Sequence, residues 1–348
     1  MKTTNHQALT VLVFSLFLAL AACGGSRNNS GEKPPHRSWD FVQMVDADVD
    51  LTSYAYAPSI ILKGGVYHVF FCSAGASPAW DFIRYVHSTD GKNWSAPPTI
   101  MLRATAANGF DQAACDPSVV FYQGFYYMYY SSVYTTAPNF YQTVIQVARS
   151  SNIDGPYLTY TQRGTWEDTP SDAQIIIKPL VARTQDPTGY GAGQQTVVVH
   201  NGELFLWYTD DSLDPNAGVR TFMLQSTDPV TWTPSANREI NVQEASSIDV
   251  KFDVAKNQYV MTNLINAHTA NAYLARSFSS DGMSWSAFTT IIDAAAFPDY
   301  ANNVGVVGDE TGNTVSSPTL VAFGAPYDLN GFNNWGQWDL YGVLVDGP

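Results

Sequence analysis

The chain has 348 residues, with 31 acidic residues against 17 Lys and Arg and a formal net charge of −14. That balance excludes nucleic acid and anionic membrane surfaces as natural partners, because both would repel the protein. Charged residues make up 14% and aromatics 14%, with 20 Tyr and 9 Trp, a mixture suited to β-structure and, more weakly, to a surface on which sugar rings stack.

From the N-terminus, Met1 to Gln7 carries one lysine and no acid, Ala8 to Leu20 is almost wholly apolar, and Leu20-Ala21-Ala22-Cys23 closes the run. Residues 1–22 therefore read as a secretory signal, too short and wrongly flanked for a membrane span. The closing tetrapeptide resembles the lipobox of bacterial lipoproteins. This resemblance implies lipidation of Cys23 and an exported chain held to a bacterial membrane, at the outer membrane or cell surface, by its lipid alone. Acyl chains there contribute about 0.8 kcal/mol per buried methylene. Residues 23–38, rich in Gly, Ser, Asn and Pro, read as a disordered tether, and residues 39–348 as a single domain.

Within that domain the same hairpin recurs. Ala57-Pro58-Ser59-Ile60-Ile61-Leu62-Lys63-Gly64-Gly65-Val66-Tyr67 aligns without gaps on Asp116-Pro117-Ser118-Val119-Val120-Phe121-Tyr122-Gln123-Gly124-Phe125-Tyr126 and on Gln194-Gln195-Thr196-Val197-Val198-Val199-His200-Asn201-Gly202-Glu203-Leu204. Each is an apolar run, a turn at a shared glycine and a second apolar run, the pattern of a tight β-hairpin. A looser copy starts at Asp249 and turns at Lys256-Asn257; a fifth runs from Asn303 through Asp309-Glu310-Thr311-Gly312 to Phe323. A third strand and a Ser/Asp/Gly turn follow four of the hairpins, ending at Trp94, Tyr157, Trp232 and Trp285, residues expected to pack structurally.

Each unit makes one four-stranded antiparallel sheet of roughly 50 to 75 residues, and such sheets arranged radially form a propeller. The expected fold is thus all-β, a five-bladed β-propeller. First strands line the channel of such a fold, so one mouth is expected to present Ala57, Asp116, Gln194, Asp249 and Asn302 or Asn303.

The Asp-Pro-Ser-Val-Val opening at Asp116, Tyr56-Ala57-Pro58, Gly191-Ala192-Gly193-Gln194 and Ile248-Asp249-Val250-Lys251-Phe252-Asp253 together resemble the five-bladed glycosidase superfamily containing glycoside hydrolase families 43, 62, 32 and 68. The resemblance spans about residues 40 to 346. It implies activity on arabinose-, xylose- or fructose-containing glycans, with three carboxyl groups at the channel mouth acting as base, acid and tuner of the acid. Asp116 matches the position of the base and Asp249 that of the tuning or orienting aspartate. The triad is incomplete: Gln194 stands where related hairpins show a glutamate, and a glutamine cannot donate a proton at useful acidity. Ala57 stands where an aspartate is expected. The acid is then sought on loops, first at Glu244, with Glu167 and Asp168 as further candidates. Tyr56, Trp80, Tyr190, Asp210, Trp335 and Trp338 lie near strand starts or loops and form the candidate sugar platform, with Gln194 and Asn303 as further binding residues.

The six histidines show no metal-type spacing, and neither a CxxC pair nor a phosphate loop is present, so neither a metal nor a cofactor is expected. A structural calcium in the channel stays open, since oxygen ligands abound. Cys72 ends the second strand of the first hairpin and Cys115 opens the first strand of the second. Antiparallel geometry puts both at one mouth, where an exported chain forms a disulfide; two buried thiols are the alternative. The functional expectation is a monomeric glycoside hydrolase-like lipoprotein acting on an oligo- or polysaccharide at the mouth, as an inverting arabinosidase or xylosidase. Ala57 and Gln194 favour the alternative, a non-catalytic glycan-binding or assembly lipoprotein on the same scaffold.

Overall fold

The computed structural model describes residues 39–50, 53–105, 111–136, 140–181, 190–213, 218–242, 247–315, 318–326 and 337–347. The signal segment, the tether with Cys23, Glu244 and Trp335 lie outside the described residues.

A short strand, β1 (Val42–Val45), precedes the first antiparallel meander of β2 (Ala55–Lys63), β3 (Val66–Ala74), β4 (Asp81–Ser88) and β5 (Thr99–Arg103). The second comprises β6 (Cys115–Tyr122), β7 (Phe125–Thr136), β8 (Phe140–Ser150), β9 (Leu158–Tyr160) and β10 (Trp166–Glu167). The third has β11 (Ala192–His200), β12 (Glu203–Asp210) and β13 (Arg220–Ser226); the fourth has β14 (Ile248–Asp253), β15 (Gln258–Ile265), β16 (Tyr273–Ser279) and β17 (Thr289–Ile292). β18 (Asn302–Gly308), β19 (Thr319–Pro326) and β20 (Trp338–Val345) form the last meander, and β1 pairs antiparallel with β20 as its outermost strand. The closing strand of this meander thus comes from the other end of the domain, a pairing that the hairpin repeats do not reveal.

The first three hairpins turn through Gly64-Gly65, Gln123-Gly124 and Asn201-Gly202, where both residues of each pair have positive φ. This is the type I′ geometry whose twist matches that of the flanking strands, and it explains the shared glycine. The inner strands β2, β6, β11, β14 and β18 neighbour one another in cyclic order. A short parallel contact, Val307↔Ile60 and Gly308↔Ile61, joins the last to the first. Apolar side chains fill the spaces between meanders, as where Phe70, Ile83 and Tyr85 meet Val119, Tyr126 and Met128. Trp232 and Trp285 are buried in two such layers, with indole N–H groups donating to Pro229 O and Gly282 O.

Inner strands of neighbouring meanders diverge, so their backbone N–H groups need side-chain acceptors. Ser59 Oγ accepts from Val119 N at 3.1 Å, Ser118 Oγ from Val197 N at 3.0 Å and Thr196 Oγ1 from Val250 N at 3.1 Å. Asp249 continues the series, its Oδ2 accepting from Val306 N at 2.6 Å.

The far end of the ring is closed by the turn between β18 and β19. Its carbonyls cross to three other meanders: Glu310 O accepts from Phe121 N, Thr311 O from Val199 N and Gly312 O from Phe252 N, at 2.6, 2.8 and 3.0 Å. Asp309 holds the turn in shape, its Oδ1 accepting from Thr311 N at 2.8 Å and from Asn313 N at 2.9 Å.

Candidate functional site

At their starts, four of the five inner strands are bulged. Register shifts fall between Tyr56 and Ser59, Cys115 and Ser118, Gly193 and Thr196, and Asn302 and Val304. Inside those bulges Ala57, Asp116, Gln194 and Asn303 have φ of 52°, 45°, 50° and 44°. A non-glycine residue in that region costs on the order of 1–3 kcal/mol and persists only where its surroundings enforce it; bulges are a means of re-aiming side chains. All four residues line one cavity of ≈ 30 Å³ between the strand starts, room for water-sized guests.

The fourth meander differs. β14 pairs with β15 without a bulge, Ile248↔Asn263 and Asp249↔Thr262. Asp249 therefore takes the place of Ser118 in the side-chain series rather than that of Asp116, which corrects the alignment expected from sequence. Ser247 is the true counterpart of Asp116 and lines the same cavity. The carboxylate of Asp249 is fully engaged: besides Val306 N, it accepts from Thr196 Oγ1 at 2.7 Å and from Lys251 Nζ at 2.6 and 2.7 Å. It is a buried ion pair that joins three meanders.

Asp116, 9% exposed, is held among the described residues by neutral groups. Tyr190 Oη donates to Oδ2 and Asn303 Nδ2 to Oδ1, each at 3.1 Å. Burial pushes its carboxyl above the usual aspartate range, while hydrogen bonds from Ser131 and Tyr190 pull the other way. Its backbone is pinned as well, for Gln195 Nε2 donates to Asp116 O and to Tyr129 O. Gln195 was not marked by the sequence, its signal being only the second glutamine of the Gly193-Gln194-Gln195 run. Gln194 Oε1 accepts from Thr209 Oγ1 at 3.4 Å. Two further polar atoms of the cavity lining, Asn303 Oδ1 and Ser247 Oγ, are buried without a hydrogen-bond partner.

Cys72 and Cys115 are joined by a disulfide with their Cα atoms 4.7 Å apart, tying the first meander to the second. Cys115 Sγ lies 3.6 Å from Asp116 Oδ1 and 3.0 Å from the Tyr56 hydroxyl. A carboxylate oxygen of Asp81 lies within 4.8 Å of both sulfurs. This grouping has metal-ligand spacing, but bonded sulfurs offer no thiolate. Asp81, which the sequence did not mark, receives a hydrogen bond from the Tyr54 hydroxyl. Burial pushes its carboxyl up to about 7; the Tyr54 hydrogen bond opposes this and the charge of Asp116 adds to it.

Of the expected platform, Tyr56 and Tyr190 stand at this site. Tyr56 packs at 5.2 Å between ring centroids on Trp338, which is buried and is contacted in turn by His268. Tyr190 is positioned by Asp211, whose carboxylate accepts from the backbone N–H of Tyr190 and of Gly191, both at 2.8 Å. Trp80, half-buried, precedes Asp81 and hydrogen-bonds through its backbone to Gly75 and Gln112. Asp210 is fully buried and accepts from Leu180 N at 2.7 Å and Ser212 N at 2.8 Å, so its carboxylate holds a loop rather than facing the mouth. Glu167 lies on the outermost strand of the second meander, paired with Arg163 at 2.7 Å; Asp168 follows it.

The sequence matches no protein-family model and no curated protein. Solved structures do match. A family 62 glycoside hydrolase in complex with xylotriose is 16% identical over 89% of this chain and 98% of its own, with a TM-score of 0.62. The catalytic domain of a family 62 α-L-arabinofuranosidase from Coprinopsis cinerea is 14% identical over 89% and 97%, also at 0.62. A family 117 glycoside hydrolase from the marine bacterium Zobellia galactanivorans is 14% identical over 89% and 90%, at 0.58. At such identities the likeness is one of fold: the chain has the all-β propeller fold of the glycoside hydrolases of families 43, 62 and 117.

Proposed function

We propose that the protein is a glycoside hydrolase-like lipoprotein that binds and cleaves a neutral oligo- or polysaccharide at the open mouth, with each meander serving as one blade. Asp116 is the group that activates water. The observation carrying this reading is a buried carboxyl with raised proton affinity, held by neutral donors and set beside two unsatisfied polar atoms of the same cavity. A carboxylate whose proton affinity is raised is a stronger base, and one placed at a concave mouth can take a proton from water attacking an anomeric carbon. Structures sharing the fold include α-L-arabinofuranosidases and complexes with xylotriose, which supports a pentose-containing glycan as substrate. Asp249, committed to Lys251, shapes the cavity floor in this reading.

Export follows from the N-terminus: cleavage after residue 22, a lipid on Cys23 and residues 23–38 as tether to a monomeric domain.

A second reading, non-catalytic glycan binding, is favoured by Ala57 and Gln194; with Asn303, they leave three of the four bulged positions without a carboxyl. One experiment separates the two. Purified protein is incubated with aryl arabinofuranosides, xylosides and galactosides and with xylo-, arabino- and fructo-oligosaccharides, while binding is followed by calorimetry. The hydrolase reading expects sugar release that falls about 10³-fold in Asp116→Asn. Binding without release supports the second reading, and release unchanged in Asp116→Asn removes Asp116 as base.

A further inference from the structure

Resting on the hydrolase reading above, we infer that Asp81 is the proton donor of the mouth, supplying the acid that neither Gln194 nor Ala57 can. Asp81 opens β4 opposite Ala74 at the end of β3, on the rim where β2 and β6 begin. Its backbone carbonyl accepts from Ala114 N at 3.2 Å, tying it to the residue before Cys115. A carboxylate oxygen of Asp81 lies within 4.8 Å of both sulfurs of the Cys72–Cys115 bridge, and the Cys115 sulfur in turn lies 3.6 Å from Asp116 Oδ1. The two carboxyls therefore flank one disulfide, which fixes their spacing across the first two meanders. Asp81 is half-buried. The titratable groups facing it are Tyr54, Tyr56 and Asp116, and among the described residues it forms no ion pair.

A group that is half protonated near neutral pH can both give up a proton and regain it from solvent. In the step inferred here, Asp116 takes a proton from water as the water oxygen bonds to the anomeric carbon. The bond from that carbon to the leaving oxygen breaks, its electron pair stays on the oxygen, and Asp81 delivers the proton that neutralises it. Asp116 ends protonated and Asp81 ionised, and exchange with solvent restores both.

The test measures kcat/KM for Asp81→Asn on substrates whose leaving groups differ in acidity. A dinitrophenyl glycoside needs no proton and is expected to lose less than about fivefold, whereas an oligosaccharide loses about 100-fold or more. The alkaline limb of the parent's pH profile, falling near neutrality, is expected to vanish in Asp81→Asn. It should move to higher pH in Tyr54→Phe, which removes a hydrogen bond to the ionised form. Equal losses on both substrates, or an unmoved alkaline limb, overturn the role of Asp81. Asp116→Asn is measured alongside: if it fails on both substrates while Asp81→Asn fails on neither, the hydrolase reading stands and the acid lies elsewhere. A parent protein that cleaves no glycoside in the panel overturns both.

Discussion

The five inner strands use the polar groups at their two ends in opposite ways. At the far end the Asp309–Asn313 turn gives its carbonyls to Phe121, Val199 and Phe252, and Glu310 pairs with Lys63 at 3.0 Å while also accepting from Tyr126. Those groups are satisfied within the fold. At the strand starts, four strands are bulged into a strained region, and among the described residues Asp116 has no cation partner while Asn303 and Ser247 keep unpaired atoms. The difference teaches where the fold serves stability and where stability is given up, since strain and unpaired buried groups persist where a ligand or a reaction uses them.

Substitutions at Asp249 and Asp116 test this contrast most directly. Asp249→Asn leaves Lys251 buried without its counter-charge and is expected to destabilise the fold by about 3–5 kcal/mol, measured by urea unfolding; a loss under about 1 kcal/mol would mean that the pair is not a structural tie. Next in size is Gly305→Ala. A Cβ at that position would lie 2.0 Å from Pro58 O, where the fifth meander meets the first, and overpacking of this kind costs about 1–3 kcal/mol.

Asp116→Asn is expected to act with the opposite sign. The folded state binds this carboxyl's proton more tightly than the unfolded chain does, so stability falls as pH rises above the unfolded value near 3.8. The variant should melt a few degrees above the parent at pH 8, with the gap closing towards pH 4; a lower melting temperature at pH 8 would show that Asp116 is structural. The same change removes a charge that holds the Asp81 proton in place, so the Asp81 titration, read by carboxyl NMR, should move below about 7. Smallest is Glu310→Gln at the far end. Lys63 and Glu310 are 42% and 35% exposed, and such pairs contribute below about 1 kcal/mol.

Much of the scaffold was legible because turn chemistry and alternation are local. Gly65, Gly124 and Gly202 mark real type I′ turns, and the position of Cys72 and Cys115 at one rim follows from antiparallel pairing. The register of the fourth hairpin was not legible. Asp249 can be aligned on Asp116 by sequence, but the absence of a bulge in β14 shifts the match by two residues, and nothing in Ile248-Asp249-Val250 announces it. Asp81 was missed for a different reason. It lies on a third strand, where the repeat predicts no channel-facing residue, and the disulfide together with the Ala114–Asp81 backbone hydrogen bond brings Asp116 near it. The role of β1 was hidden because its partner, β20, lies almost the full length of the domain away.

In a ring of meanders, each ordinarily meets only its two neighbours, and such an array can lose its parts one after another. The five-residue turn at Asp309–Asn313 changes that connectivity. It belongs to the fifth meander but bonds to the second, third and fourth, while β18 already meets the first. The ring thereby acquires a hub, and opening any one meander disturbs a segment shared by the others. Unfolding is expected to be a single cooperative transition, with no state in which a few meanders survive alone.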